Sequence, residues 1–286
     1  EPLVNITERM LIMHTVEEFN ALGAELEQQL YLRNVPIALK VLYSKDEVPE
    51  GCYIPSRDMN EHPALCQAFA QVRRNKRSMA MFKEDHWCLW PLISFKEGPL
   101  TEEDVNYVGT KLFIKDPEAG INYFKNNFPF TNDEKGIPGL ALAPLSSCTF
   151  VPDAIIVYCM PPQLRQILMA AKYETAKVVE SSLDTVGSCV HAIIPVLNGD
   201  KDYNVSIPDP GEYERSLADD NEMIFTMKAE KIDEILDGIR LISKMGFGYK
   251  QLAMDMNLDY PRAEFYNVMF EKWGLLTGDQ WTDFKR

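Results

Sequence analysis

Residues 153–159, DAIIVYC, are the stretch that most restricts what this chain can fold into. After Asp153 the run is continuously apolar and rich in β-branched residues, and it stops at Met160-Pro161-Pro162. Residues 163–173 then place apolar side chains at helical spacing. This order predicts a strand that feeds directly into a helix, so the fold must combine a sheet with helices.

The rest of the chain continues this alternation. Apolar side chains recur every three or four positions over residues 15–32, where Thr15 and Glu18 have the spacing of a capping box. Further helices are predicted over residues 64–77 with Pro63 in the first turn, and over 102–112, 117–126, 231–244 and 261–273. Strands are predicted over residues 35–42, 189–197, 203–207 and 222–227, with a loop over 47–60 and a hairpin-type turn at 198–200. The fold class expected is α/β or α+β, a single large domain with a mixed sheet and flanking helices.

Composition excludes several classes of protein. The 286 residues are 46% apolar, enough to bury a full core. Twenty-nine basic against 43 acidic residues give a net charge of −14, opposite in sign to that of nucleic-acid or anionic-membrane proteins. The longest apolar runs are far shorter than the roughly 20 residues of a membrane helix. The first residues show no basic segment followed by an apolar one, although the missing initiator Met allows for removal of an upstream segment. A cytoplasmic protein is expected, in which six cysteines stay reduced.

Cysteine and histidine occur unusually close together. Three of the four histidines lie near a cysteine, in the pairs His62 and Cys66, His86 and Cys88, and Cys189 and His191. Thiolate and imidazole bind zinc, copper and iron, including iron–sulfur clusters. The chain has no Cys-x-x-Cys motif, so a metal site would have to be assembled by tertiary folding. From the residues alone, cysteines packed as small buried side chains remain the simpler interpretation.

Other familiar motifs are missing from the sequence. It contains no Gly-x-Gly-x-x-Gly, no P-loop, no Gly-x-Ser-x-Gly and no His-Glu-x-x-His. A nucleophilic Cys66 is an alternative, because a helix start lowers a thiol pKa and His62 is nearby as a base. A thiol that merely packs under the helix start explains the same residues.

Longer phrases resemble a known family. They are PIALK at 36–40, EVPEG at 47–51, ALCQA at 64–68, Cys88, APL at 143–145, PD at 152–153 leading into PPQ at 161–163, GSC at 187–189 and GEYERSLA at 211–218. In this order they resemble domain of unknown function 169, an uncharacterised family found in many anaerobic bacteria and archaea. The resemblance runs from about residue 36 to about residue 225, and Ala-Leu-Cys-Gln is its most specific part.

The resemblance changes the interpretation of the cysteines. The family pattern carries three, which fall on Cys66, Cys88 and Cys189, each with a histidine nearby. Three thiolates from three segments suit an iron–sulfur cluster, with a four-iron cluster preferred and zinc as the alternative. One position would stay open or take a fourth ligand. The candidates are Cys52, Cys148, His62, His86 and His191.

Lys40, Gln67 and Arg215 also fall in the shared phrases and are the candidate catalytic residues. If they face the cysteines, Lys40 and Arg215 would supply positive charge to a carboxylate-bearing ligand or to the cluster. Each also has an ordinary structural interpretation. Lys40 would be a charge at a strand end, Gln67 an amide on a helix surface, and Arg215 part of an ion pair in a loop.

The leading hypothesis is a metal-centre protein of anaerobic metabolism, whose function is electron transfer or chemistry on a small organic substrate. It would be an oxidoreductase or lyase, acting with a substrate or a redox partner protein, and a homo-oligomer stays open. The alternatives are a metal-free thiol enzyme using Cys66 and a non-catalytic binding module with an acidic surface and 13 methionines. The expected organisation is an N-terminal helical segment over 1–34, a core carrying the cysteine site over 35–230, and C-terminal helices packed on it over 231–286.

Overall fold

A six-stranded sheet runs through the residues that the computed structural model describes, which are 14–98, 100–109, 114–249 and 264–275. Its strands are β1 (Ile37–Leu42), β2 (Met79–Phe82), β3 (Gly139–Pro144), β4 (Ala154–Cys159), β5 (Tyr203–Ser206) and β6 (Met223–Lys228). They lie in the order β2-β3-β1-β4-β6-β5, and every pair of neighbouring strands is antiparallel. One isolated parallel bridge joins Tyr53 to Met79. The expected fold class, a sheet with flanking helices, is confirmed, but the sheet is antiparallel and not the mixed sheet that was predicted.

Helices connect the strands. The described residues form α1 (Val16–Leu30), α2 (Pro55–Asp58), α3 (Leu65–Asn75), α4 (Leu89–Ser94), α5 (Glu102–Gly109), α6 (Pro117–Asn126), α7 (Pro161–Thr175), α8 (Ser188–Leu197), α9 (Pro210–Arg215), α10 (Ile232–Ile242) and α11 (Glu264–Lys272). None of these described helices is both long enough and apolar enough to cross a lipid bilayer.

The two faces of the sheet bury separate apolar cores. Successive side chains of a strand point to opposite faces, so Ala38 and Leu42 of β1 face one core and Ile37 and Leu39 face the other. We call the first the α7–α10 face, because α1, α7 and α10 cover it with side chains that include Leu26, Ile167 and Ile235. The second, the α3–α8 face, is covered by side chains that include Phe69 of α3 and Ile193 of α8.

Elements with clear end signals agree with their predictions. Thr15 caps α1 by accepting a 3.2 Å hydrogen bond from Glu18 N, and Thr15 N donates a 2.8 Å hydrogen bond to the Glu18 carboxylate. Helix α6 has the predicted bounds. The predicted helix over 102–112 is helical to residue 109, and residues 110–113 lie outside the described part of the chain. Helix α11 falls within the predicted 261–273, of which 261–263 are not described.

The strand predicted over residues 189–197 is wrong, because this segment is helix α8. A continuous apolar run has neither a period of 2 nor one of 3.6, and α8 is buried on nearly all sides between β5, β6 and α4. Residues 198–200 therefore end a helix and do not form a hairpin turn.

Smaller differences concern the first half of the chain. The loop predicted over residues 47–60 contains the short helix α2, and Pro63 precedes the N-cap residue Ala64 instead of lying in the first turn of α3. Strands β2 and β3 were not predicted from the sequence. The predicted division at residues 34 and 230 stays a prediction, although α1 and α10 pack with α7 on the same face.

Candidate cysteine site

Three helices begin close together on the α3–α8 face, and each start carries one of the three predicted cysteines. Cys66 is the second residue of α3, Cys189 is the second residue of α8, and Cys88 is the N-cap of α4. Cys66 and Cys189 are each 5% exposed, whereas Cys88 is partly exposed. Burial raises the pKa of the Cys189 thiol well above its usual value, and the charges of Cys66 and Cys88 raise it further. The fold therefore makes the three thiols electrostatic neighbours.

Local hydrogen bonds hold these helix starts in place. Gln67 Oε1 accepts a 2.9 Å hydrogen bond from Ala64 N at the start of α3. The carboxylate of Asp209 accepts hydrogen bonds from Ser188 N (3.0 Å) and Glu212 N (2.9 Å), which joins the starts of α8 and α9. In each contact a side-chain oxygen accepts a hydrogen bond from a backbone N–H group at a helix start, as in helix N-capping.

Two further backbone features bring α4 to the same point. Trp87 N donates a 3.1 Å hydrogen bond to Pro63 O, which places the residue before Cys88 beside the segment that leads into α3. Gly187, the N-cap of α8, has a φ of +68°, a conformation that suits glycine, and a Cβ at this position would lie 3.8 Å from the side chain of Trp90. The segments that carry the three cysteines thus lie next to one another, although they are distant in sequence.

Burial makes these thiols weak acids in the absence of a metal. Burial, together with the charge of Glu212, raises the pKa of Cys66 to about 12, although Ser216 and Arg215 act to lower it. Burial also raises the pKa of Cys88, whereas the backbone N–H of Trp90 and the charge of Arg215 lower it. All three thiols are therefore protonated near neutral pH, and a metal ion would have to displace their protons.

Arg215, the last residue of α9, lies beside these thiols. The central carbon of its guanidinium lies 5.0 Å from the ring centroid of Trp87. Its Nε is buried, and the guanidinium forms no hydrogen bond or ion pair within the described residues. The charge of Arg215 opposes the burial that raises the pKa of Cys66 and Cys88, so this predicted site residue is close to the cysteines.

Glu212 is a site residue that the sequence did not reveal. Its side chain is fully buried, and its Oε1 accepts hydrogen bonds from Tyr158 Oη (2.8 Å) and Ser188 Oγ (3.4 Å). Its Oε2 has no partner among the described residues. Burial raises the pKa of Glu212 to about 7, which the hydrogen bond from Tyr158 partly offsets. A single glutamate in an acidic chain carries no signal, and only its place in GEYERSLA could have pointed to it.

A buried ion pair lies behind Tyr158. Arg73 donates hydrogen bonds of 3.0 and 3.2 Å to the carboxylate of Glu222, which also accepts a 2.5 Å hydrogen bond from Asn34 Nδ2. The Arg73 guanidinium lies 4.1 Å from the ring centroid of Tyr158. A fully buried charge persists only when it is paired in this way. The pair therefore supports the ring that holds Glu212.

Several predicted residues lie away from the three cysteines. Lys40 shares the α7–α10 face with Ala38 and Leu42, so the sheet separates it from the thiols. Cys52 and Cys148, two candidate fourth ligands, are buried on that same opposite face. Gln67 occupies its Oε1 in capping α3.

The histidines differ in their surroundings. His62 is exposed in the segment before α3. His86 packs edge-on against Phe95, burial lowers its pKa to about 4, and its Nδ1 has no hydrogen-bond partner in the described part of the chain. His191 Nε2 lies 3.3 Å from Tyr123 Oη and 3.5 Å from the carboxylate of Asp184.

The donor atoms of this site suit a soft metal ion, but the positions of the side chains suit it less well. Three sulfur donors, a nearby guanidinium and the N-termini of α3 and α8 match the chemistry of an iron–sulfur or zinc centre. Among the described residues, however, no group of three or more His, Cys, Asp or Glu side chains has an arrangement that could hold a metal ion. Metal binding would require the thiolates to draw closer together.

Comparisons with known proteins agree with the resemblance seen in the sequence. Residues 25–238 match DUF169, which is described as uncharacterised ArCR. An uncharacterised protein of Methanocaldococcus jannaschii is 21% identical over 230 residues, which cover 78% of this chain and 94% of that protein. No solved structure matches the chain. The cysteine site lies entirely within the matched segment, and neither match names an activity.

Proposed function

Because the chain belongs to DUF169, a family without an assigned activity, we propose from its residues that it holds a metal centre at Cys66, Cys88 and Cys189. The proposed centre is an iron–sulfur cluster, preferably with four irons, and zinc is the alternative. The centre would serve electron transfer, or redox or Lewis-acid chemistry on a small organic, carboxylate-bearing substrate. The protein would be cytoplasmic and would act in anaerobic metabolism.

The observation that carries this proposal is the way the sheet divides the six cysteines. The three that match the family pattern lie at helix starts on the α3–α8 face. The other three, Cys52, Cys148 and Cys159, are buried in the core of the opposite face. Cysteines that merely fill space have no reason to collect at helix N-termini from three distant segments.

Charge around the three thiols supports an anionic centre. The N-termini of α3 and α8 carry partial positive charge, and Arg215 adds a full one. A cluster with thiolate ligands is net negative, so these groups would stabilise it. Cys88 is partly exposed, which makes it the side from which a substrate or redox partner would approach.

Anaerobic purification followed by analysis of iron, zinc and acid-labile sulfide tests the proposal. We expect iron and sulfide with the broad visible absorption of a cluster, lost in Cys66→Ser, Cys88→Ser and Cys189→Ser. The matched controls Cys52→Ser, Cys148→Ser and Cys159→Ser lie on the opposite face and should keep both. Stoichiometric zinc without sulfide, lost in the same three variants, would support the zinc alternative. A colourless, metal-free protein would overturn the proposal.

A further inference from the structure

The guanidinium of Arg215 forms no ion pair with any residue that the structure describes. The central carbon of this guanidinium lies 5.0 Å from the ring centroid of Trp87, and Gly211 leaves the space that the guanidinium occupies, because a Cβ at position 211 would clash with it. Arg73, the fully buried arginine behind Tyr158, has its carboxylate partner in Glu222. Arg215 has none among the described residues, although its Nε is buried. A guanidinium has five N–H donors, so Arg215 has donors left for a ligand to bind.

The surface beside Arg215 is apolar. Trp87 is 63% exposed and Leu89, on the other side of Cys88, is 45% exposed. Leu217 follows α9 with a φ of +54° and is 66% exposed, and its carbonyl accepts a hydrogen bond from Arg74. Large apolar side chains that remain exposed beside a buried polar site are typical of ligand-binding surfaces.

We propose that this site binds a small organic monocarboxylate, with its carboxylate on Arg215 and its apolar body against Trp87 and Leu89. A guanidinium matches the two oxygens of a carboxylate in a bidentate pair. The carboxylate of Asp209, which accepts a hydrogen bond from Ser188 N, places negative charge near the thiols, so a doubly charged phosphate would be repelled more strongly than a single carboxylate. The inference rests on the proposed function, because bound in this way the ligand would lie beside Cys88 and hence beside the centre.

Isothermal titration calorimetry of the full chain with acetate, propionate and benzoate tests the proposal by measuring the affinity for each. The titrations use the protein as purified and the protein after metal removal. We expect benzoate to bind more tightly than acetate, because more of its body is apolar. Uncharged benzamide and inorganic phosphate should bind at least tenfold more weakly than benzoate. Failure of all three carboxylates to bind, or equal binding of benzamide, would overturn the inference.

Variants separate the role of Arg215 from general effects of charge. Arg215→Gln should weaken benzoate binding about 10- to 100-fold, since it removes a charged hydrogen-bonding pair. Gly211→Ala should weaken it by displacing the guanidinium without removing it. Arg165→Gln, an exposed arginine of α7 on the opposite face, is the matched control and should bind as the unaltered protein does. Equal affinity of Arg215→Gln and the control would also overturn the inference.

Metal analysis of the same samples distinguishes this inference from the proposed function. Loss of benzoate binding in Arg215→Gln with iron and sulfide retained supports both. Iron without carboxylate binding would leave the metal centre standing and remove the substrate site. Carboxylate binding that depends on Arg215 in a protein that never holds metal would support the anion site and overturn the metal centre.

Discussion

Tyr158 donates a 2.8 Å hydrogen bond to Glu212, and this bond joins a central strand of the sheet to the helix that ends in Arg215. Both side chains are buried, and Arg73 packs on the ring of Tyr158. The position of α9, and hence of Arg215, therefore depends on a carboxyl group whose charge is costly at its site. This relationship links the stability of the protein to pH.

The free energy of unfolding should fall as pH rises from about 4.5 to about 7. Burial raises the pKa of Glu212 from 4.5 to about 7, so in this window the unfolded chain releases a proton that the folded chain retains. The stabilisation is complete below the unfolded pKa and is lost as pH passes through the folded one. Glu212→Gln should lack this loss, gaining about 3 kcal/mol relative to the unaltered protein between pH 4 and pH 8. Urea denaturation of the metal-free protein measures it.

Tyr158→Phe serves as the control for this prediction. Its hydroxyl lowers the pKa of Glu212, so its removal should extend the fall in stability to higher pH. The variant should also lose about 1 kcal/mol from the missing hydrogen bond. Identical pH dependence in the unaltered protein and in Glu212→Gln would contradict the assignment of this loss to Glu212.

Alkylation of the reduced, metal-free protein should modify Cys88 first. Cys88 is the partly exposed thiol among the six, whereas burial raises the pKa of Cys66 to about 12 and leaves little thiolate to react. Peptide mass spectrometry after timed treatment with iodoacetamide gives the order. A thiol enzyme that uses Cys66 with His62 as its base requires the reverse order. Rapid modification of Cys66 in the folded protein would therefore favour that alternative.

Gln67→Ala should lower stability without affecting metal content. Gln67 was a candidate catalytic residue, but its Oε1 accepts the hydrogen bond from Ala64 N that begins α3. Loss of such a cap costs about 1 kcal/mol, measured by urea denaturation. Gln67→Glu keeps the acceptor and should retain most of the stability. Unchanged stability together with loss of bound iron would instead assign Gln67 to the site.

The spacing of apolar residues and the capping signals predicted the helices and strands that have them. The prediction failed where the apolar residues show no regular spacing. Helix α1 has both a capping box and a stripe of apolar side chains, and its prediction is confirmed. Helix α8 is buried on nearly all sides, so its apolar residues could equally suit a strand. Strand β3, GLALAP, has no β-branched residue to mark it, and β2 is only four residues long.

The candidate site was predictable only in the residues that a shared phrase points to. The three cysteines came from the family pattern, and the structure brings them together. Lys40 came from the same kind of phrase, yet it lies on the other face. Alternate residues of a strand point to the same face, and Lys40 lies between Ala38 and Leu42, which both face the α7–α10 core. Glu212 lies in the shared phrase GEYERSLA but was not chosen from it, because its raised pKa comes from burial beside Tyr158 and not from its sequence neighbours.

Gly187→Ala should disturb the cysteine site while a comparable change elsewhere does not. Gly187 has a φ of +68° directly before α8, two residues before Cys189, and a Cβ there would lie 3.3 Å from Val190 Cγ2. Gly199, just after the same helix, has a φ of +80° with open space around it, which makes Gly199→Ala the matched control. An L-residue in this conformation costs roughly 1 to 2 kcal/mol, so both variants should lose similar stability in urea denaturation. Only Gly187→Ala should also shift the start of α8, lowering bound metal and increasing the alkylation of Cys189. Equal metal content and equal Cys189 labelling in the two variants would show that the start of α8 does not position the thiol.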